Sequence, residues 1–72
     1  MKKIIEELAG KKFSVYVNGE FENTTNFLGL IQLLARFSDF FNYKSTEQVK
    51  YFKESMQDKT FYIDVDMSVR FK

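Results

Sequence analysis

The sequence predicts one small α+β domain over residues 1–72: a three-stranded, mostly antiparallel sheet packed on one face by two to three helices, in the order α-β-β-α-α-β. Three observations lead there. Phe61, Ile63, Val65, Met67, Val69 and Phe71 alternate without a break against Tyr62, Asp64, Asp66, Ser68, Arg70 and Lys72, the period of a strand with one buried and one wet face. Asn18-Gly19, following the alternating Phe13, Val15 and Val17, is the strongest short hairpin signal, because both residues tolerate positive φ. The segment 25–42 is apolar around roughly 240° at helical period, where a surface helix needs little more than about 100°.

Taken in order, residues 2–9 read as a short helix with Ile4, Ile5 and Leu8 on one face, and Gly10 stands where a left-handed C-terminal cap is expected. Residues 12–17 form the first strand. The return strand, 20–23, has two registers open to it. A two-residue turn pairs Val17 with Glu20 and Val15 with Glu22, which mixes charge into the apolar face; a three-residue loop pairs Val17 with Phe21 instead. Thr24 or Thr25 caps the main helix, which runs to about Asn42 with Gly29, Gln32, Arg36 and Asp39 as its narrow polar strip. Ser45-Thr46-Glu47-Gln48 reads as a capping box opening a further helix from 46 to about 57, with Val49, Phe52 and Met56 on one stripe. Residues 60–72 are then a single strand of roughly 40 Å. A domain of this size is only about 28 Å across, so that strand has to bend, fray or project, and a projecting strand offers a free edge.

Seventy-two residues suffice for one domain with a thin core. With no Cys and no His, the chain has no disulfide, no thiolate metal site, and none of the side chain that titrates unaided near neutrality. Nine Phe and four Tyr point instead to dense aromatic packing or to association as the stabilising device. Eleven Lys and Arg against ten Asp and Glu leave a net charge of +1, without the basic excess of a protein that lives on phosphate contacts. Near-neutrality also favours a molecule that works inside a complex. The opening residues, Met1 to Glu7, lose their apolar run at Glu6-Glu7, and the segment 27–41 is too short for a membrane span and carries Arg36 and Asp39. A cytoplasmic location without membrane contact is the expectation.

For catalysis the candidate groups are carboxylates, Lys, Tyr and Ser. Asp64 and Asp66, on one side of a strand and about 6–7 Å apart, would hold magnesium if Glu20 and Glu22 converged on them. Solvated charges on a wet face are the simpler account. The glycines at 10, 19 and 29 are isolated, so no phosphate-binding loop exists. No catalytic, cofactor-binding or metal-binding residue is therefore expected. Nucleic-acid binding would draw on Lys11, Lys12, Tyr16 and Tyr62 on the sheet, with Lys44, Lys50, Lys53 and Lys59 as a second patch. Glu20, Glu22, Asp64 and Asp66 on the same wet face would oppose phosphate.

Association draws on more features: the wide helix, the over-long strand and the near-zero charge. A central position between sheet and neighbouring helices would absorb much of the apolar arc, but Leu33, Phe37 and Phe40 are hard to cover in so short a chain. They are the expected apolar contact, to a partner protein or to a second copy in a homodimer. Glu20, Glu22, Asp64 and Asp66 are the expected acidic partner-binding face, with the chemistry to imitate nucleic-acid phosphate. In length, aromatic density and lack of catalytic residues, the chain resembles in type the small proteins with which bacteriophages and mobile elements block host enzymes or defence systems, anti-CRISPR proteins among them. That resemblance implies a stoichiometric inhibitor acting on a host enzyme or defence complex. The alternative is a small nucleic-acid-binding regulator using the surface lysines and tyrosines.

Overall fold

A computed structural model describes residues 2–72. Its elements are α1 (Lys2–Ala9), β1 (Phe13–Val17), β2 (Glu20–Thr25), α2 (Phe27–Phe37), a 3₁₀ turn (Phe40–Asn42), α3 (Ser45–Asp58), β3 (Thr60–Asp64) and β4 (Met67–Arg70). The α+β class and the antiparallel pairing agree with the sequence reading. The strand count does not: the sheet has four strands in the order β2-β1-β4-β3, because the expected last strand is a hairpin.

The chain folds back at Val65 and Asp66, and the Asp64 carboxylate accepts the Val65 N–H at 2.8 Å. A plain two-residue turn here would pair Ile63 with Ser68 and Phe61 with Arg70, setting apolar residues against polar ones. An extra residue in β3 prevents this: Asp64 still pairs with Met67, but Tyr62 pairs with Ser68 and Phe61 with Val69. The apolar alternation therefore passes through a chain reversal in phase. Only Val65, 91% exposed at the tip, falls out of it. The reversal also resolves the length problem, since the folded chain measures 31 × 24 × 20 Å.

The β1–β2 hairpin uses the same device. Asn18 and Gly19 take φ of 53° and 81°, the left-handed pair a tight two-residue turn demands, and Val17 pairs with Glu20. The register then shifts between Val15 and Tyr16, so that Tyr16 faces Phe21 and Val15 faces Asn23. Glu22 is the residue left over. Neither register expected from the sequence is complete, because a bulge takes the charge out of the apolar row.

Four helix boundaries also differ. Gly10 is not left-handed; α1 ends with the Lys11 N–H donating to the Leu8 carbonyl at 3.1 Å. Asn26, not a threonine, caps α2, its side-chain oxygen accepting the Gly29 N–H at 2.9 Å. That helix stops at Phe37 rather than Asn42, where Ser38 turns extended and its hydroxyl accepts the Phe40 N–H at 3.1 Å. Ser45 begins α3 without a side-chain cap; Gln48 donates instead to the Phe40 carbonyl at 3.1 Å, tying α3 to the 3₁₀ turn.

The break at Ser38 re-aims Phe40. Its ring enters the core, 5.2 Å from Phe52 and 5.3 Å from Tyr51. Phe61 continues the aromatic stack, 5.7 Å from both Phe52 and Phe71 and 6.2 Å from Phe13. Leu8, Leu30, Leu34 and Val69 complete the centre. α2 and α3 lie against the sheet's apolar face, and α1 packs on α2 with Leu8 in the same core. No helix among the described residues is long and apolar enough to cross a membrane.

Tyr51 is the polar anchor of this layer, half-buried on α3 with its hydroxyl donating to the Tyr62 carbonyl at 3.1 Å. Burial pushes its pKa from 10.0 up to about 12, against the opposing effect of a hydrogen bond with Ser55. A raised folded-state pKa means that this stabilisation is fully present below pH 10 and lost as pH climbs through about 12. Tyr51→Phe is expected to flatten the alkaline unfolding curve between those values, and to lower stability at neutral pH by about 0.5–1.5 kcal/mol for the lost hydrogen bond. Urea titrations at pH 7 and across the alkaline range check both; an unchanged alkaline slope would contradict the assignment.

Candidate binding face of the sheet

The helices occupy one side of the sheet, so the other is open. Cross-strand pairing sets four side chains in one row across it: Phe21 on β2, Tyr16 on β1, Ser68 on β4 and Tyr62 on β3. Phe21 is 57% exposed and Tyr62 64% exposed. Tyr16 is held between neighbours, with the Phe21 ring edge-on at 5.9 Å and the Arg70 guanidinium 4.8 Å from its ring centre. Arg70 stands opposite Ser14, one row further along the same face.

Charge on this face is graded along the strands. At the end away from the hairpin tips lies an open depression of about 490 Å³ lined by Lys11, Lys12, Ser14, Tyr16, Arg70, Phe71 and Lys72, with four cationic side chains and no Asp or Glu. Lys11 is positioned there by donating to the Lys72 carbonyl at 3.0 Å, and its ammonium lies 5.9 Å from the Phe71 ring centre, with Lys59 at 5.7 Å. Beyond the aromatic row, at the tips, a second depression of about 260 Å³ is lined by Tyr62, Ser68, Asp64 and Asp66 together with Asn18, Gly19, Val65 and Met67. It holds two carboxylates and no cation. The Asn18 N–H donates to the Asp66 carbonyl at 2.7 Å and joins the two tips. Among the described residues, the one ion pair within 4.0 Å is Lys50 with Glu54 on α3, so the charges of both depressions stand free of salt bridges.

The expected sites distribute unevenly over this geometry. Lys11, Lys12, Tyr16 and Tyr62 do come to one face, whereas Lys44, Lys50 and Lys53 belong to α3 and its cap, in the opposite layer. Asp64 and Asp66 are not a pair on one strand, since Asp66 lies in the turn. Glu20 and Asp64 end opposite edges of the row Glu20–Val17–Met67–Asp64, three strand spacings or about 14 Å apart. Glu22 occupies the β2 bulge, and no group of three or more acidic side chains among the described residues is arranged to hold a metal ion. Of the apolar set, Phe40 is 3% exposed and belongs to the core, Leu33 is half-buried, and Phe37 remains 48% exposed. Phe21, Arg70 and Lys72 are the residues sequence reasoning missed; they reach the face through the β2 bulge and the extra chain reversal.

No protein-family model matches the chain, and neither a curated protein nor a solved structure matches it significantly.

Proposed function

We propose that this chain is a non-catalytic binding module whose contact surface is the open face of the sheet, and that its partner is another protein. The observation that carries this reading is the uncovered aromatic row Phe21–Tyr16–Tyr62 with Arg70 stacked on its centre. Tyrosine and arginine on a rigid sheet offer large contact area at small entropic cost, the composition that dominates interface energetics. A host enzyme or defence complex is the kind of partner that the type resemblance to phage inhibitors suggests, with the chain acting by occupancy. The acidic tip and the half-exposed Phe37 would lie outside this central contact.

Tyr16→Ala is expected to weaken binding to a captured partner at least tenfold, measured by calorimetry or surface resonance. Lys53→Ala, on the helical layer, should leave affinity within about twofold. Equal affinity for wild type and Tyr16→Ala would remove the open face from the reading. A second reading, single-stranded nucleic acid, is favoured by the four cationic side chains beside the aromatic row, where bases would stack and phosphates would sit. Oligonucleotides titrated at 50 and 200 mM salt decide between them, because phosphate contacts weaken steeply with salt.

A further inference from the structure

The open face is complementary to itself. Its basic depression and its acidic depression lie on opposite sides of the Phe21–Tyr16–Ser68–Tyr62 row, one with four cationic side chains and no Asp or Glu, the other with two aspartates and no Lys or Arg. We infer that two copies of this chain pack open face to open face, about a twofold axis that runs across the strands along that row. Such an axis reverses strand direction between the copies. It therefore lays the basic end of each protomer over the acidic tip of the other, whereas an axis along the strands would set like charge on like.

The spacing suits this operator. Arg70, opposite Ser14, lies two residues from Tyr16 on one side; Asp66, bonded through its carbonyl to Asn18, lies level with a position two residues from Tyr16 on the other. Rotation about the row brings the guanidinium of one copy towards the Asp64 and Asp66 carboxylates of its mate, twice per dimer. Along the axis, Tyr16, Phe21 and Tyr62 meet their own equivalents, as an isologous interface requires. Sheets packed this way stand about 10 Å apart with both side-chain layers interdigitated. Net charge of +1 per protomer imposes little overall repulsion.

The footprint sets the strength. Four strands by five residues cover about 19 by 17 Å, roughly 320 Å² in plan and well short of the ~800 Å² of accessible surface per partner in a standard stable interface. The dimer is accordingly weak and concentration-dependent. It uses the surface assigned above to a foreign partner but does not rest on that assignment, because the mass of the purified chain tests it alone.

Sedimentation equilibrium from about 10 μM to 1 mM, the range a small interface implies, should show the mean mass rise from 8.6 kDa towards twice that value. Two double variants test the orientation. Lys12→Glu with Arg70→Glu cancels the side-chain charge of the basic end and removes its attraction to the acidic tip, and Asp64→Lys with Asp66→Lys makes both ends basic. Each alone should stay monomeric to 1 mM, while an equimolar mixture of the two should recover the dimer, with amide spectra confirming that both are folded. Wild type that remains monomeric throughout overturns the proposal, including the case in which that monomer binds oligonucleotide or a foreign protein on this face. A wild-type dimer with no recovery on mixing overturns the orientation and with it the charge pairing.

Discussion

Phe61→Ala is expected to remove a large share of the chain's stability at 25 °C, and all of it at the low end of the range for a chain this short. Phe61 is fully buried, and its ring meets four others: Phe13, Tyr51, Phe52 and Phe71, at centroid distances of 5.7 to 6.2 Å. It is where the sheet's apolar face, the C-terminal Phe71 and helix α3 touch, so truncation opens a cavity bordered by three elements at once. Removing a buried Phe costs ~3–5 kcal/mol. At about 0.05–0.15 kcal/mol per residue, a chain of 72 residues has roughly 4–11 kcal/mol in all. The loss is therefore a large share of the whole stability. The chain has no cysteine for a disulfide, and among the described residues no group of three or more acidic side chains is placed to hold a metal ion. Phe41→Ala, on a half-exposed ring of the 3₁₀ turn, is the matched control and should cost no more than about 1 kcal/mol. Urea unfolding followed by circular dichroism separates the two. A Phe61→Ala protein that still unfolds cooperatively with a loss under about 1.5 kcal/mol would mean that the aromatic stack is not the centre of the core.

The elements that were legible in the sequence are those that depend on short-range pattern. Asn18-Gly19 specified its turn because only that backbone geometry suits a two-residue hairpin, and the alternation from Phe61 to Phe71 identified the buried residues of both later strands. The reversal inside that alternation was hidden for a physical reason. Val65-Asp66 contains neither Gly nor Asn, and the bulge in β3 restores the phase that a turn would otherwise break, leaving no periodic signature of the bend. The one available clue was length: a strand of about 40 Å does not fit a chain 31 Å long. The main helix misled in the opposite way. Its arc is wide over Phe27–Phe37 alone, roughly 220°; the error was to project Phe40 and Phe41 on a helix that Ser38 had already ended.

Those two errors account for the limits of the site reading. Treating residues 60–72 as one strand put Asp64 and Asp66 on a common face and left Arg70 and Lys72 with no neighbours. Folding it in half brings Arg70 beside Tyr16 and sends Asp66 to the tip. The uniform wet face expected from composition thus becomes a polarised one. Net charge says nothing about such separation, because a chain of charge +1 supports either arrangement equally.

Gly29→Ala is expected to destabilise the protein by up to ~2 kcal/mol, against the usual direction for a glycine in a helix. Replacing Gly by Ala inside a helix normally gains about 1 kcal/mol of propensity. Here an added Cβ would fall on the Thr25 hydroxyl, with Thr25 Cβ at 3.0 Å and its methyl at 3.3 Å. Rotating Thr25 removes the first conflict but not the approach of its Cβ, so β2 and α2 must part, at a cost of ~1–3 kcal/mol for overpacking. The sequence reading placed Gly29 on a polar strip, whereas its role is to let the first turn of α2 sit directly on the end of β2. Thr25→Ala in the same background removes the hydroxyl and methyl and should recover at least half of the loss, a coupling that unrelated sites would not show. The consequence reaches the open face as well, because β2 also carries Phe21 against Tyr16. A strand displaced at Thr25 slackens the pairing that positions this ring, so Gly29→Ala should weaken any ligand of the aromatic row although it touches none. Denaturant titration with and without Thr25→Ala checks the stability claim; a neutral or stabilising Gly29→Ala would show that the strand and helix have room to spare.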